Sequence, residues 1–152
     1  MSLEADVQKT EKAALKANTQ DVISNAPLRV LVVEDDSMMK LLWEHFLARL
    51  IPAAQIVWAQ TEEAAQKIMG SESQRGFDFI ICDVFLSGRK TGVDLWKKYS
   101  AQSQKFIFTS VIERKQLMGM LGSQKSAPLF LQKPIDFSDV KKVIAKICEP
   151  KN

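Results

Sequence analysis

Residues 28–36 read LRVLVVEDD, an apolar, branched-rich run that stops abruptly in three consecutive acids, Glu34, Asp35 and Asp36. Leu28 to Val33 is too short for a buried helix and suits a strand covered on both faces. A buried strand that ends in stacked negative charge poses a physical problem. The charges must leave the core at the strand's carboxyl end and find partners there.

Reading outward, Asp36 or Ser37 caps a helix whose apolar positions Met39, Leu42, Trp43, Phe46, Leu47 and Leu50 recur at i, i+3, i+4, i+7, i+8 and i+11. A second strand is expected over 55–59, and Thr61 caps a helix over 61–69. After a loop at 70–76 comes a third strand, 77–82, and a turn-rich loop, 87–92, leads into a helix over 93–100. A strand at 105–108, a helix at 113–121 and a strand at 129–132 follow. Asp136 and Asp139 open a last helix with Val140, Val143, Ile144 and Ile147 on one face, acids at its positive end and lysines farther on. Parallel neighbours need crossover connections, so five strands alternating with five helices predict a doubly wound α/β fold. The sheet is five-stranded and parallel, with helices on both faces.

The length of 152 residues fits one domain, and 46% apolar with 26% charged residues is ordinary globular composition. Residues 1–26 are polar, Ala-rich and free of aromatics, which reads as a partly helical or disordered leader; the body runs over 27–150. So little chain follows the last helix that no output domain is expected. No apolar run approaches the roughly 18 residues of a membrane span, and no signal-peptide centre is present, so a cytoplasmic chain without membrane insertion is expected. Cys82 and Cys148 belong to no CxxC or Cys/His pattern and read as buried free thiols. His45 has no partner ligand in the pattern, and Trp43, Trp58 and Trp96 read as packing residues. The net charge of +3 is spread over several segments and does not argue for nucleic-acid contact.

Ligands of doubly wound sheets bind beyond the carboxyl ends of the strands. Strand one ends in Glu34 and Asp35, strand three in Asp83, strand four in Thr109 and Ser110, and strand five in Lys133 followed by Pro134. Carboxylates packed about 4 Å apart repel by about 4 kcal/mol per pair at an effective dielectric near 20, and Lys133 supplies one positive charge. A divalent cation relieves the remainder, and an all-oxygen, carboxylate-rich site suits Mg²⁺. Metal, lysine and hydroxyl together describe a phosphoryl cradle, in which an aspartate can attack phosphorus while cations offset charge on the transferring oxygens.

LRVLVVEDD, FDFIICDVFL at 77–86, FIFTS at 106–110 and LFLQKPID at 129–136 resemble, in order, the motifs of response-regulator receiver domains of two-component signalling; the match covers about 28–148. The resemblance implies a flavodoxin-like strand order, 2-1-3-4-5. It implies that Asp83 accepts the phosphoryl group and that Glu34 and Asp35 form an acid pocket. By it, Mg²⁺ is held by Asp35 and Asp83 directly, by Glu34 through water and by the Phe85 backbone carbonyl. Thr109 hydrogen-bonds the phosphoryl oxygen after activation, Lys133 pairs with it, and Phe130 occupies an aromatic switch position. The implied donor is a sensor histidine kinase or a histidine phosphotransfer protein. Output passes to a downstream protein that the sequence does not identify, and a homodimer is left open.

Two alternatives stand beside this reading. A pseudo-receiver would keep the fold and bind partners without phosphorylation. An aspartate-nucleophile phosphatase of the haloacid-dehalogenase type would carry a second Asp where this chain has Phe85, so an enzyme is not expected. A flavin binder would need a Ser/Thr/Gly-rich phosphate loop after strand one, which is absent. The loop after Asp83 departs from the receiver pattern: Ser87 stands where proline is common, and Gly92 falls nine residues on rather than eight. Phe85 and Val111, flanking the site, predict slow hydrolysis of a phosphorylated Asp83. Arg89 and Lys90 either steer the donor or form an exposed turn.

Overall fold

A computed structural model of the chain describes residues 21–71, 76–88, 90–99, 105–122 and 128–150. The strands are β1 (Arg29–Val33), β2 (Gln55–Ala59), β3 (Phe79–Asp83), β4 (Lys105–Ser110) and β5 (Leu129–Gln132). The helices are α1 (Ser37–Leu50), α2 (Glu62–Ser71), α3 (Gly92–Tyr99), α4 (Arg114–Leu121) and α5 (Phe137–Cys148). All four strand pairings are parallel, in the order β2-β1-β3-β4-β5. The chain therefore reverses direction across the sheet between β1 and β3.

The period of two along each strand sorts the core into two layers. Val30, Val32, Phe79, Ile81, Ile107 and Leu131 face α1 and α5, where Trp43, Phe46, Leu47, Leu50, Val140 and Ile144 close over them. Leu31, Val33, Ile80, Cys82, Phe106 and Phe108 face the other way, under Ala65 and Met69 of α2, Val93, Leu95 and Trp96 of α3 and Leu117 of α4. Each fully buried large side chain contributes about 1.5–3 kcal/mol. With Val30 to Val33 at 0% exposure, β1 is the centre of both layers.

Local chemistry fixes the helix starts. Of the two candidate caps for α1, Asp36 serves: its carboxylate accepts from the N–H groups of Met38 at 2.8 Å and Met39 at 3.2 Å. Thr61 Oγ1 accepts from Ala64 N–H at 3.1 Å, and Asp136 Oδ1 from Ser138 N–H at 3.1 Å. No described helix is long and apolar enough to cross a membrane.

Several expected boundaries move. β3 starts at Phe79 because Asp78 brackets β1 instead of continuing the strand: its N–H donates to Arg29 O at 2.7 Å and its Oδ2 accepts from Arg29 N–H at 2.7 Å. At its far end β3 takes in Asp83, and β4 runs on through Thr109 and Ser110, so Asp83 and Thr109 are ladder partners. Residues 21–26, read as leader, lie against the body at Asp21 and Ile23. Ile23 N–H donates to Leu50 O at 2.8 Å, and Asp21 pairs with Arg49 at 2.6 Å and Lys141 at 3.3 Å. Cys82 is buried but Cys148 is only half-buried; both are free thiols. Trp43 and Trp96 are buried, Trp58 is half-buried beneath Lys40, and His45 is exposed. Residues 1–20 and Arg89 lie outside the described residues.

Candidate functional site

The parallel ladders bring the carboxyl ends of β1, β3, β4 and β5 to one edge of the sheet, and backbone hydrogen bonds pin each end. Glu34 N–H donates to Ala59 O at 2.9 Å, Val84 N–H to Thr109 O at 3.0 Å, and Lys133 N–H to Ser110 O at 2.7 Å. The side chains just beyond these bonds therefore leave the sheet at fixed positions. Glu34, Asp35 and Asp83 each bring a carboxylate oxygen to within 4.8 Å of the others. Lys133 reaches them from β5, with Nζ 2.8 Å from Asp83 Oδ2 and 3.5 Å from Glu34 Oε2. The peptide bond between Lys133 and Pro134 is cis.

Burial grades the three acids. Glu34 and Asp83 are buried, whereas Asp35 is exposed. Burial first, and the neighbouring Asp83 charge second, push the Glu34 carboxyl up to about 7, against a hydrogen bond from Asp36 N–H at 3.2 Å and the Lys133 ammonium. Hydrogen bonds from Ser87 hold Asp35 below the ordinary carboxylate range, more than offsetting its slight burial. For Lys133 burial opposes the charge, but the hydrogen bond to Asp83 and the fields of Asp83 and Glu34 outweigh it and raise the ammonium's pKa. Cys82 stays a thiol, because burial and the charges of Asp83, Glu34 and Glu62 all push it up.

Two further groups complete the edge. Thr109 is 0% exposed, and its Oγ1 has no hydrogen-bond partner, so a buried hydroxyl is held one strand from Asp83 with its capacity unspent. Phe85 N–H donates to Asp83 Oδ1 at 3.1 Å, while its side chain stands half out of the protein at 48% exposure. Val111 is exposed at 68% on the neighbouring loop. Phe130 on β5 lies beside Phe108, half-buried against the layer beneath α3 and α4.

Three carboxylates against one ammonium leave an excess of negative charge, which the structure relieves by raising the proton affinity of Glu34. A divalent cation fits the same role: the donor set is all oxygen, it is open on the Asp35 side, and it lies beside the unspent Thr109 hydroxyl.

No protein-family model and no curated protein matches the chain. Solved structures do. The receiver domain of a response regulator (CheY-like) from Methylobacillus flagellatus is 22% identical, with a TM-score of 0.65 over 80% of this chain and 99% of that one. The chemotaxis protein CheY4 of Vibrio cholerae is 22% identical, with a TM-score of 0.63 over 80% and 99%. The response regulator PhyR of Brucella abortus, 18% identical with a TM-score of 0.67, covers 92% of this chain, which spans about half of that protein's length (55%). The fold is that of a response-regulator receiver domain.

Within the receiver fold the structure brings together Glu34, Asp35, Asp83 and Lys133, sets Thr109 beside Asp83 in the ladder, and keeps Phe130 on β5. Three participants had no sequence signal for the part they play. Ser87 read only as a departure from proline, yet it donates to Asp35 Oδ2 through its N–H at 3.0 Å and also through its hydroxyl. A Cβ on Gly92 would lie 2.3 Å from Asp83 O and 2.8 Å from Cys82 Sγ, so only glycine admits α3 this close to β3. Glu62, an ordinary first-turn acid by sequence, is fully buried; one oxygen accepts from Gln66 Nε2, and the other has no partner.

Proposed function

We propose that this chain is a response-regulator receiver that takes a phosphoryl group from phosphohistidine onto Asp83 and passes the signal on through protein contacts. One observation carries the reading: Lys133 Nζ stands 2.8 Å from Asp83 Oδ2, at the middle of a carboxylate cluster on the carboxyl edge of the sheet. In an in-line transfer the Asp83 oxygen attacks phosphorus and the donor's histidine nitrogen leaves. Lys133, already held against Asp83, offsets negative charge on the transferring oxygens, and the Phe85 N–H keeps the other Asp83 oxygen oriented. Asp35, Asp83 and Glu34 would hold Mg²⁺, which would supply further charge compensation at the transferring oxygens.

Thr109 then finds the acceptor its hydroxyl lacks in the resting chain. Its inward movement, with a changed packing of Phe130, biases the surface formed by α4, β5 and α5. A sensor kinase or a histidine phosphotransfer protein is the donor, and a partner protein reads the altered surface. Turnover of phosphomonoesters is not expected, because Phe85 stands where the related phosphatases carry their general acid.

Beryllofluoride with Mg²⁺ tests the reading without a kinase. The full chain is expected to bind it with resonance shifts at Thr109 and Lys133, and Asp83→Asn to lose that response. A folded wild-type chain that shows none would instead favour a pseudo-receiver.

A further inference from the structure

The loop that follows β3 reaches back across the site and grips the acid pocket at one point. Ser87 puts two donors, its backbone N–H at 3.0 Å and its hydroxyl, on the same oxygen of Asp35, Oδ2. Proline at this position would have neither donor. The chain turns immediately afterwards at Gly88, whose φ of +113° suits glycine. A Cβ there would also come within 3.2 Å of Glu63 Oε2, so the loop passes close to α2 on one side and is bonded to Asp35 on the other.

From this geometry we infer that Ser87 is a positioning residue that selects the cation, an inference that rests on the receiver reading above. With two Ser87 donors already engaging Oδ2, Asp35 has Oδ1 to offer. A carboxylate limited to one oxygen is a monodentate ligand held in a fixed rotamer. Mg²⁺ demands near-octahedral geometry, keeps several waters and binds well to a few one-oxygen ligands; Ca²⁺ gains from bidentate carboxylates and larger coordination numbers. Ser87 thereby favours Mg²⁺ twice, by pre-setting Asp35 and by denying Ca²⁺ its second oxygen. Both donors come from one residue, so the ordering entropy of the clamp is met once for two hydrogen bonds.

Calorimetric titration of the full chain with Mg²⁺ and with Ca²⁺, for the wild type, Ser87→Ala and Ser87→Thr, tests this. Ser87→Ala keeps the N–H but loses the hydroxyl, and the Mg²⁺-over-Ca²⁺ affinity ratio should fall roughly tenfold. Ser87→Thr, which restores a hydroxyl, should bring most of the ratio back. A ratio in Ser87→Ala within about twofold of wild type overturns the role of Ser87 while leaving the metal site standing. A wild-type chain that binds neither cation overturns the receiver reading itself, and the selection by Ser87 with it.

Discussion

Gly92 is where one added carbon reaches the proposed phosphoacceptor. Because the new Cβ would meet Asp83 O at 2.3 Å, a backbone contact that no rotamer can relieve, Gly92→Ala must push α3 off the end of β3. The expected cost is about 1–3 kcal/mol in urea unfolding, together with weaker beryllofluoride binding. An alanine variant as stable as wild type would show that the contact is slack. Glu34 gives the second prediction at this scale. Its carboxyl is raised to about 7, so the folded chain holds a proton that the unfolded chain has released between the ordinary Glu value and 7. The metal-free protein accordingly loses stability from this group as pH rises through that window. Mg²⁺ must displace the same proton, so its apparent affinity should be about tenfold weaker at pH 6 than at pH 8. A flat titration over that range would mean that Glu34 is ionised in the metal-free site.

At the scale of elements, the segment before β1 is tied to two helices. Asp21 bridges Arg49 at the end of α1 and Lys141 on α5, and Ile23 N–H caps Leu50 O. The Arg49 hydrogen bond first, with help from Lys141 and against a little desolvation, holds Asp21 below the usual carboxylate range. A depressed carboxylate stabilises above its unfolded pKa, and the contribution is lost as pH falls through the folded value. Asp21→Asn should therefore lower Tm at pH 7 and leave it unchanged near pH 2; an equal loss at both pH values would assign the effect to packing. This clasp was invisible in the sequence because a single Asp in an Ala-rich polar stretch looks like any solvated acid. The elements themselves were legible. The alternation of short apolar runs with 3.6-period faces such as Trp43, Leu47 and Leu50 has few physical readings. The ends were less so: Asp78 looked like part of a strand, and only its two bonds to Arg29, 49 residues away, make it a bracket.

For the whole molecule, the parallel sheet does what no local pattern can: it brings acids separated by about fifty residues onto one edge, opposite a lysine from β5. The acids, the lysine and Thr109 were readable as strand-end residues, because each stands at or just beyond the end of a mostly apolar run. Ser87, Gly92 and Glu62 were not, since their roles depend on how loops and helices cross the sheet. The same arrangement bears on signal lifetime. Phe85 and Val111, two residues beyond Asp83 and Thr109, are exposed apolar side chains, and on the proposed reading they would hinder water from reaching a phosphoryl group on Asp83. Replacing both with Ala should shorten the lifetime of the phosphorylated state several-fold, followed as decay of the adduct after the donor is removed; an unchanged decay would remove these side chains from the account.

The central claim is that Asp83 is a metal-dependent phosphoacceptor. Intact-mass measurement of the full chain after incubation with acetyl phosphate and Mg²⁺ tests it most directly, with Asp83→Asn and a chelator as controls. A single phosphoryl adduct that requires both Asp83 and the metal is the predicted result. A folded chain that acquires no adduct, or acquires one equally in Asp83→Asn, would contradict it.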